Sequence, residues 1–241
     1  MHITTHISRI TKDVETVRGH ELTELIAGRS FAETAWLVLR GGFPAKNQLA
    51  LFEAALVAAI DHGAAPASSI AARVVASSGN DVHTALAAGI LAQGTLHGGA
   101  IEGAARFLAA HADAPSMEAV VRQEREAGRR IPGFGHKLLD VDRRSAAIFD
   151  RAKAVGLSGR HCEAAARLET ALKAASSKPI PLNVDGAMAA VFLDLGFAPD
   201  HMRGLFAFAR LPGLIAQIVE ERETGGGLRR LDDDEIEYVG P

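Results

Sequence analysis

Gly94-Thr95-Leu96-His97-Gly98-Gly99-Ala100 places one imidazole beside a pair of glycines, and the interpretation of the whole chain starts from this stretch. Two other segments share the arrangement of an acid–base side chain next to glycine. They are Pro132-Gly133-Phe134-Gly135-His136 and Leu182-Asn183-Val184-Asp185-Gly186. Glycine lets a backbone bend sharply and approach a ligand closely. Two imidazoles and a carboxylate in such surroundings indicate proton transfer on a carbonyl compound.

Each of the three segments also has an ordinary structural interpretation. His97 could begin a helix beside a flexible hinge, and His136 could simply end a loop. Asp185 could be the N-cap of the apolar helix that follows it, a common place for aspartate. For either histidine alone, the structural interpretation is the favoured one. The functional interpretation therefore depends on the three segments occurring together and in this order.

The composition favours packed helices. Hydrophobic residues make up 48% of the 241 residues and aromatic residues only 5%, so Ala, Leu, Val and Ile must fill the core. Such a composition favours helices over sheets. The length permits one large domain or a body with a lobe. The formal net charge of −3 gives no indication of nucleic-acid binding.

Apolar residues recur at helical spacing along most of the chain and predict an all-α fold of about a dozen helices. Ser30 and Glu33 form a predicted capping box at the start of a helix over residues 31–40. No alternation is long enough to predict a strand. The other predicted helices cover residues 48–61, 70–76, 82–92, 97–111, 117–126, 142–154, 162–175, 186–195, 200–210 and 214–221.

Several classes of protein are disfavoured. Cys162 is the only cysteine, which excludes an intrachain disulfide and favours a cytoplasmic location. Residues 1–14 lack the continuous apolar run of a secretory signal. We predict no stretch long and apolar enough to span a bilayer. His-Glu-x-x-His and Cys-x-x-Cys are both absent from the sequence, so no metal site is predicted.

In this order the three segments resemble the citrate synthase superfamily, and the resemblance runs from about residue 18 to the end of the chain. Arg18-Gly19-His20-Glu21-Leu22 and Ser30-Phe31-Ala32-Glu33 are similar to the family's N-terminal region. Asp61-His62-Gly63 resembles the family's first histidine. Glu237-Tyr238-Val239-Gly240-Pro241 resembles its usual C-terminal signature. Together these matches are specific, although each one alone is not.

The resemblance implies a citrate-synthase-like fold of two helical domains. Residues 1–99 and 186–241 are expected to form the large domain, and residues 100–185 the smaller one. The active site is expected in the cleft between them. The smaller domain is expected to close over the substrate.

The resemblance also implies roles for four acid–base side chains. Asp185 would remove a methyl proton from an acyl-CoA thioester, and His97 would hydrogen-bond the thioester oxygen as the enol forms. His136 would polarise the ketone of a 2-oxo dicarboxylic acid such as oxaloacetate, and His62 would help to bind that acid. A carboxylate is too weak a base to form a free enolate, so the developing oxyanion needs a donor at the same time. The coenzyme A thioester is a substrate, and no resident cofactor is implied.

Three arginines match the family's ligands for the carboxylates of the oxo acid. Arg144 follows the Gly-x-Gly-His loop, with Arg143 in place of the family's proline. Arg210 matches the second, and Arg230 matches a third that in the family comes from the neighbouring subunit of a homodimer. A guanidinium suits a carboxylate because two parallel hydrogen bonds form. Other arginines are close enough in sequence to take these places: Arg143, Arg203 and Arg229.

The chain departs from the family's synthases in ways that resemble its citrate-cleaving branch. It is much shorter, and the missing part lies mostly between the N-terminal region and His62. Gly63 stands where the synthases usually have glutamate, and Gly186 stands where they usually have an aromatic residue. Citryl-CoA lyases and the C-terminal module of ATP-citrate lyase share these departures. That module usually lacks the histidine of His-Gly-Gly, however, and this chain retains His97.

We therefore predict an enzyme that cleaves or forms the carbon–carbon bond between acetyl-CoA and oxaloacetate, and we favour citryl-CoA lyase. The first alternative is a short citrate synthase or a related enzyme that condenses an acyl-CoA with a 2-oxo acid. The second is a non-catalytic helical subunit that binds coenzyme A or a partner enzyme. No nucleic-acid or membrane partner is expected.

Overall fold

The structure, a computed structural model, describes residues 2–135 and 140–241, and the predicted all-α fold is confirmed. His136 is the one candidate residue outside the described residues. Two single-turn 3-10 helices lie at Pro199–His201 and Asp233–Glu235. The α-helices of the described residues are α1 (Leu22–Gly28), α2 (Phe31–Arg40), α3 (Lys46–Ala58), α4 (Ala67–Ser77), α5 (Val82–Leu91), α6 (Ala100–His111), α7 (Met117–Glu126), α8 (Arg143–Ala154), α9 (Arg160–Ala175), α10 (Val184–Asp194) and α11 (Met202–Thr224).

A small antiparallel sheet precedes the helices and was not predicted. Its strands are β1 (Ser8–Ile10), β2 (Glu15–Val17) and β3 (His20–Glu21), with β2 in the middle. Strands of two or three residues are too short to produce an alternating pattern. Arg18, in the turn between β2 and β3, donates to the carbonyl oxygen of Val38 from Nε at 3.1 Å and Nη2 at 2.7 Å, which fixes the sheet to α2.

The capping box at the start of α2 is confirmed. The Glu33 backbone N–H donates to Ser30 Oγ at 3.1 Å, and the Ser30 N–H donates to Glu33 Oε2 at 2.9 Å. At the other end, Gly41 has a left-handed backbone with φ 81°, and its N–H donates to the carbonyl oxygen of Leu37. Both ends of this helix follow from local sequence alone.

Other helix boundaries were predicted less well. Helix α1 was missed, α4 begins three residues earlier than predicted, and α6 begins at Ala100 and not at His97. Helix α11 is continuous, although two helices separated at Pro212 were predicted. Beside Pro212, the Gly213 N–H donates to the carbonyl oxygen of Ile60 at 3.1 Å and so finds its partner outside the helix. A Cβ on Gly213 would overlap that oxygen, so glycine allows α11 to pack directly on the end of α3.

The residues Pro199–Thr224 are long and apolar enough to cross a membrane by length and composition, so the prediction that no stretch has this property was wrong. The apolar composition has a different cause here. Met202, Leu205, Leu214 and Ile218 of α11 are buried among other helices, and so is Arg210 at its middle. A helix in the core of a globular protein meets the same criteria of length and composition.

Helix α10 lies at the centre of the main core and contacts α3, α6, α8 and α9. Every residue from Gly186 to Leu193 is buried, and small residues such as Ala187, Ala189 and Ala190 let neighbouring helices approach closely. Phe192 and Phe52 belong to an aromatic cluster on one side of the helix. A helix that is apolar all round must be enclosed on all sides. The core therefore fixes the N-terminus of α10, where Asp185 lies.

Candidate active site

Asp185 lies in the first turn of α10 but does not cap it. Asn183 is the N-cap, and its Oδ1 accepts from the backbone N–H groups of Asp185 at 3.1 Å and Gly186 at 3.2 Å. The structural interpretation of Asp185 as an N-cap is therefore wrong. Burial raises the pKa of the Asp185 carboxyl above its usual value, although the charges of Arg144 and Arg210 oppose that shift. The carboxylate is consequently a stronger base than one in water.

The backbone before His136 is held against the start of α10. The Asn183 N–H donates to the carbonyl oxygen of Gly133 at 3.0 Å, and Asn183 Nδ2 donates to that of Gly135 at 2.9 Å. The Gly135 N–H donates to the carbonyl oxygen of Pro181 at 2.7 Å. A Cβ on Gly186 would overlap the carbonyl oxygen of Gly133. Gly186 is thus required for this close approach.

His97 lies in a tight turn before α6, and not in the helix as predicted. Its N–H donates to the carbonyl oxygen of Gly94 at 3.1 Å. Gly98 has φ 75°, a conformation that glycine adopts without strain. A Cβ on Gly99 would overlap the carbonyl oxygen of Gly94. The two glycines therefore close the turn that presents the imidazole, and Gly99 also precedes α6 as its N-cap.

The hydrogen bonds of His97 indicate a neutral ring. The backbone N–H of Ser68, in the first turn of α4, lies 3.4 Å from Nε2, and Ser68 Oγ lies 2.8 Å from it. Because a backbone N–H can only donate, Nε2 acts as an acceptor and the ring proton is on Nδ1. Burial lowers the pKa of His97, and the charge of Arg210 lowers it further. The positive end of the α4 dipole, near Ser68, also disfavours a positive charge on His97. His97 can therefore donate one hydrogen bond from Nδ1 while staying uncharged.

Arg210 is a buried cation with an unused donor. Its residue surface is 2% exposed, and its Nε donates to the carbonyl oxygen of Ala59 at 2.6 Å. Its Nη1 is buried with no hydrogen-bond partner among the described residues. A buried guanidinium N–H without a partner is costly, so such a group indicates a ligand. A carboxylate would satisfy both the charge and the donor.

Asp142 joins Arg144 to the start of α10. As the N-cap of α8, it accepts from Arg144 Nε at 3.0 Å and from Nη2 at 2.8 Å. Asp142 Oδ2 also accepts from the backbone N–H of Val184 at 3.0 Å. The Arg144 guanidinium holds the pKa of Asp142 low against the opposing effect of burial. Arg144 Nη1 in turn lies 3.3 Å from His62 Nδ1.

The structure brings together most of the predicted site. Arg144 and Arg210 both act on the charge of Asp185, and Arg210 also acts on His97. Arg230 lies in the exposed C-terminal segment. Among residues 2–135 and 140–241, no hydrogen bond or ion pair joins it to the other residues of the site. Of the arginines left open as alternatives, Arg203 pairs with Glu102, Arg229 pairs with Glu221, and Arg143 is exposed.

Two residues of this site were not predicted as functional, namely Ser68 and Asp142. The contact between Ser68 and His97 joins residues 29 positions apart, and no local pattern announces it. Asp142 could have been found, because it directly precedes Arg143 and Arg144, in the segment that the resemblance already singled out. Among the described residues, no group of three His, Cys, Asp or Glu side chains is placed to hold a metal ion.

A cavity of about 450 Å³ adjoins the loop that leads to residue 136. Phe134 and Gly135 line it on that side, and the carbonyl oxygen of Gly135 accepts a hydrogen bond from Asn183, the N-cap of α10. Its other walls combine cationic and apolar side chains, and the sequence did not predict them. They include Arg125, Arg129, Arg130, Ile131, Lys178 and Ile180.

The chain is similar in both sequence and structure to proteins of one family. Residues 49–231 match the family model of the citrate synthase C-terminal domain. Citrate synthase 2 of Bacillus subtilis is 31% identical over 239 residues, which are 97% of this chain and 61% of that protein. The chain thus spans under two thirds of the length of this curated relative.

Two solved structures are similar to this chain in shape over nearly its whole length. Citryl-CoA lyase from Hydrogenobacter thermophilus has a TM-score of 0.94 and 38% identity, with 99% of this chain and 95% of that chain covered. ATP citrate lyase from Methanothrix soehngenii, solved in complex with citrate and coenzyme A, has a TM-score of 0.91 and 26% identity. That match covers 100% of this chain and 42% of the ATP citrate lyase chain.

Substitution of Asp142 tests whether this carboxylate organises the site. Asp142→Asn keeps the shape but leaves the Arg144 charge without its partner, so the free energy of unfolding should fall by about 2–4 kcal/mol. Asp140→Asn is a matched control, because Asp140 is exposed two residues away and should change stability by less than about 0.5 kcal/mol. Urea denaturation followed by circular dichroism measures both. Equal midpoints for the two variants would contradict the assignment.

Proposed function

Since the chain belongs to the citrate synthase family, we propose that it cleaves citryl-CoA to acetyl-CoA and oxaloacetate, a reaction that can also run in the direction of condensation. The observation that carries the proposal is that Asp185 and His97 both lie close enough to Arg210 for its charge to affect their pKa values. The three groups are a half-buried carboxylate with a raised pKa, a neutral histidine donor and a buried arginine with an unused donor. These are the groups that the chemistry needs.

In the cleavage direction two protons move as one carbon–carbon bond breaks. His136 accepts the proton of the citryl hydroxyl, and the carbinol carbon becomes the ketone of oxaloacetate. The bonding electrons pass to the thioester, forming an enol-like oxygen that accepts a hydrogen bond from His97 Nδ1. Asp185 delivers its proton to the terminal carbon and completes the methyl group of acetyl-CoA. In the other direction the same groups exchange roles.

The surroundings of Asp185 and His97 suit these steps. The raised pKa of Asp185 makes the carboxyl able to hold a proton for delivery and able to remove one in reverse. A neutral His97 stabilises the developing oxyanion without first placing a positive charge beside the thioester. Removing such a donor typically lowers a rate by about 10²–10³-fold.

The carboxylates of the oxo acid are bound by arginine. Arg210 offers its unused Nη1, and Arg144, held by Asp142 beside His62, offers a second guanidinium. Arg230 is proposed to supply the third from the neighbouring subunit. A site with three cations and one carboxylic acid is electrostatically suited to an anionic substrate.

The cavity beside residues 133–135 is proposed to take coenzyme A. Arg130 and Lys178 offer cations to its phosphates, while Ile131 and Phe134 offer apolar surface to its adenine. Gly135, which lines the cavity, is hydrogen-bonded by Asn183, the N-cap of α10, so a bound thioester would extend from the cavity toward Asp185. A related ATP citrate lyase binds coenzyme A together with citrate, which supports this assignment.

Two observations favour cleavage over the alternatives. The similarity to a citryl-CoA lyase covers 95% of that chain, whereas citrate synthase 2 is matched over 61% of its length. Gly186, one of the two departures from the synthases, is needed for the contact with Gly133. A non-catalytic subunit is disfavoured, because an unpaired buried guanidinium N–H on Arg210 would cost stability with no compensating role.

The expected two-domain arrangement forms part of the proposal. Residues 1–99 and 186–241 would form the large domain, and residues 100–185 would close over the substrate. Residues 133–135, beside the start of α10, lie close to that boundary. Closure would exclude water and strengthen the electrostatic interactions of the site. A cytoplasmic location is proposed from the single, buried cysteine.

A homodimer is proposed as the active form. Exposed apolar pairs one turn apart lie on α4, at Ile70 and Val74, and on α11, at Ile215 and Val219. Helix α4 packs against both α5 and α11, and α5 adds exposed Leu91. Clustered apolar surface of this kind indicates a protein interface.

Partition of synthetic citryl-CoA between two product pairs tests the proposed reaction. We expect acetyl-CoA and oxaloacetate to form faster than citrate and coenzyme A, because the site supplies proton transfers to carbon and oxygen, and no group that would activate water is identified among the described residues. Mass spectrometry of the products measures both rates. If citrate is the main product, the synthase alternative is restored. If neither product pair forms, the non-catalytic subunit is favoured.

Subunit exchange tests the proposed position of Arg230. Arg230→Ala should turn over citryl-CoA only slowly and Asp185→Asn should be inactive, while mixed dimers should regain one intact site because each chain supplies what the other lacks. Activity is measured after subunits have exchanged, with exchange followed by native mass spectrometry. Activity that does not return in exchanged dimers would show that Arg230 does not act across the interface. Asp185→Asn alone, taken through the same exchange treatment, is the control and should stay inactive.

A further inference from the structure

Glu221, near the end of α11, is a buried carboxylate outside the site described above. Its side chain is 0% exposed and lies between two arginines. Arg73 Nε of α4 donates to Oε2 at 2.8 Å, while Arg229 donates to Oε1 from Nε at 2.6 Å and to Oε2 from Nη2 at 2.7 Å. The Arg229 guanidinium is the main reason why the pKa of Glu221 lies below its usual range. A buried charge needs such partners.

Arg229 is the last residue tied to the helical body. Its side chain binds Glu221, and its backbone N–H donates to Ser77 Oγ, at the end of α4, at 3.0 Å. Beyond it, the hydrogen bonds found among the described residues stay within the C-terminal segment itself. Examples are Asp232 N–H to Glu235 Oε2 and Tyr238 O–H to the carbonyl oxygen of Pro241.

The segment before Arg229 gives no comparable support. Gly225 ends α11, and residues 225–228 are exposed. Three consecutive glycines have many accessible backbone conformations, so they cannot by themselves fix the direction of the chain. The contacts of Arg229 therefore determine the direction in which Arg230 leaves the body.

The ion-paired group of Arg73, Glu221 and Arg229 is also connected to the segment that carries His62. Arg73 Nη1 donates to Gln217 Oε1 at 2.6 Å, and Gln217 Nε2 lies 3.4 Å from Asp61 Oδ2. Asp61 directly precedes His62. The hydrogen bonds from Arg229 through Glu221, Arg73 and Gln217 to Asp61 therefore fix the start of the C-terminal segment relative to the segment that carries His62.

We propose that Arg229 is a positioning residue, whose ion pair with Glu221 directs Arg230 into the oxo-acid site of the neighbouring subunit. This inference rests on the proposed function. In this inference, the Arg73–Glu221–Arg229 cluster supports Arg230, which would bind a carboxylate of the substrate. Arg229 does not contact the substrate.

A double-mutant cycle on the full-length protein separates positioning from general stabilisation. Arg229→Gln should raise the KM for citryl-CoA by about tenfold, as expected when a charge-assisted contact is lost, and leave the Kd for coenzyme A unchanged. Arg229→Lys, which retains the charge, should restore part of the effect. Arg222→Gln is the matched control, because Arg222 is exposed in the last turn of α11.

The decisive comparison is made in the Arg230→Ala background. If Arg229 acts through Arg230, adding Arg229→Gln to Arg230→Ala should raise the KM by less than about twofold. Hydrogen exchange of residues 226–241 should also become faster in Arg229→Gln but not in Arg222→Gln. A KM unchanged in Arg229→Gln, or losses that multiply in the double variant, would overturn the inference while leaving the proposed function intact. A wild-type protein that turns over no citryl-CoA would overturn both.

Discussion

Burial of the N-terminus of α10 is the constraint on which the rest of the structure depends. The apolar run after Asp185 can be stable only when helices enclose it on every side, so the start of the helix is fixed at the centre of the molecule. Asn183 binds the first-turn N–H groups and the loop from Gly133, and Asp142 binds the N–H of Val184. The proposed base is therefore located by the core itself.

The charges around this helix end make a consistent electrostatic arrangement. Burial favours the protonated form of Asp185, while Arg144 and Arg210 favour the charged form, so the carboxyl can serve both directions of a proton transfer. His97 is kept neutral by burial and by the contact of Ser68 with Nε2. The site thus has a proton donor and acceptor at the carbon, and an uncharged hydrogen-bond donor at the oxygen.

The sequence predicted those features that arise from local spacing or from family motifs. The Ser30–Glu33 capping box and the helix that follows Asp185 belong to the first kind. Features that depend on distant contacts were missed. The tautomer of His97 depends on Ser68, and the packing of α11 beside Pro212 depends on the hydrogen bond from Gly213 to Ile60. The role of Asp142 depends on its contact with α10, 42 residues away.

Exchange of the acetyl-CoA methyl protons with deuterium oxide, in the presence of oxaloacetate, tests the central claim most directly. If Asp185 is the group that transfers protons to and from this carbon, Asp185→Asn should lower the exchange rate by about 10²-fold or more. The nearly isosteric amide should leave the Kd for coenzyme A unchanged. An exchange rate equal to that of the wild type in a folded Asp185→Asn protein would contradict the account.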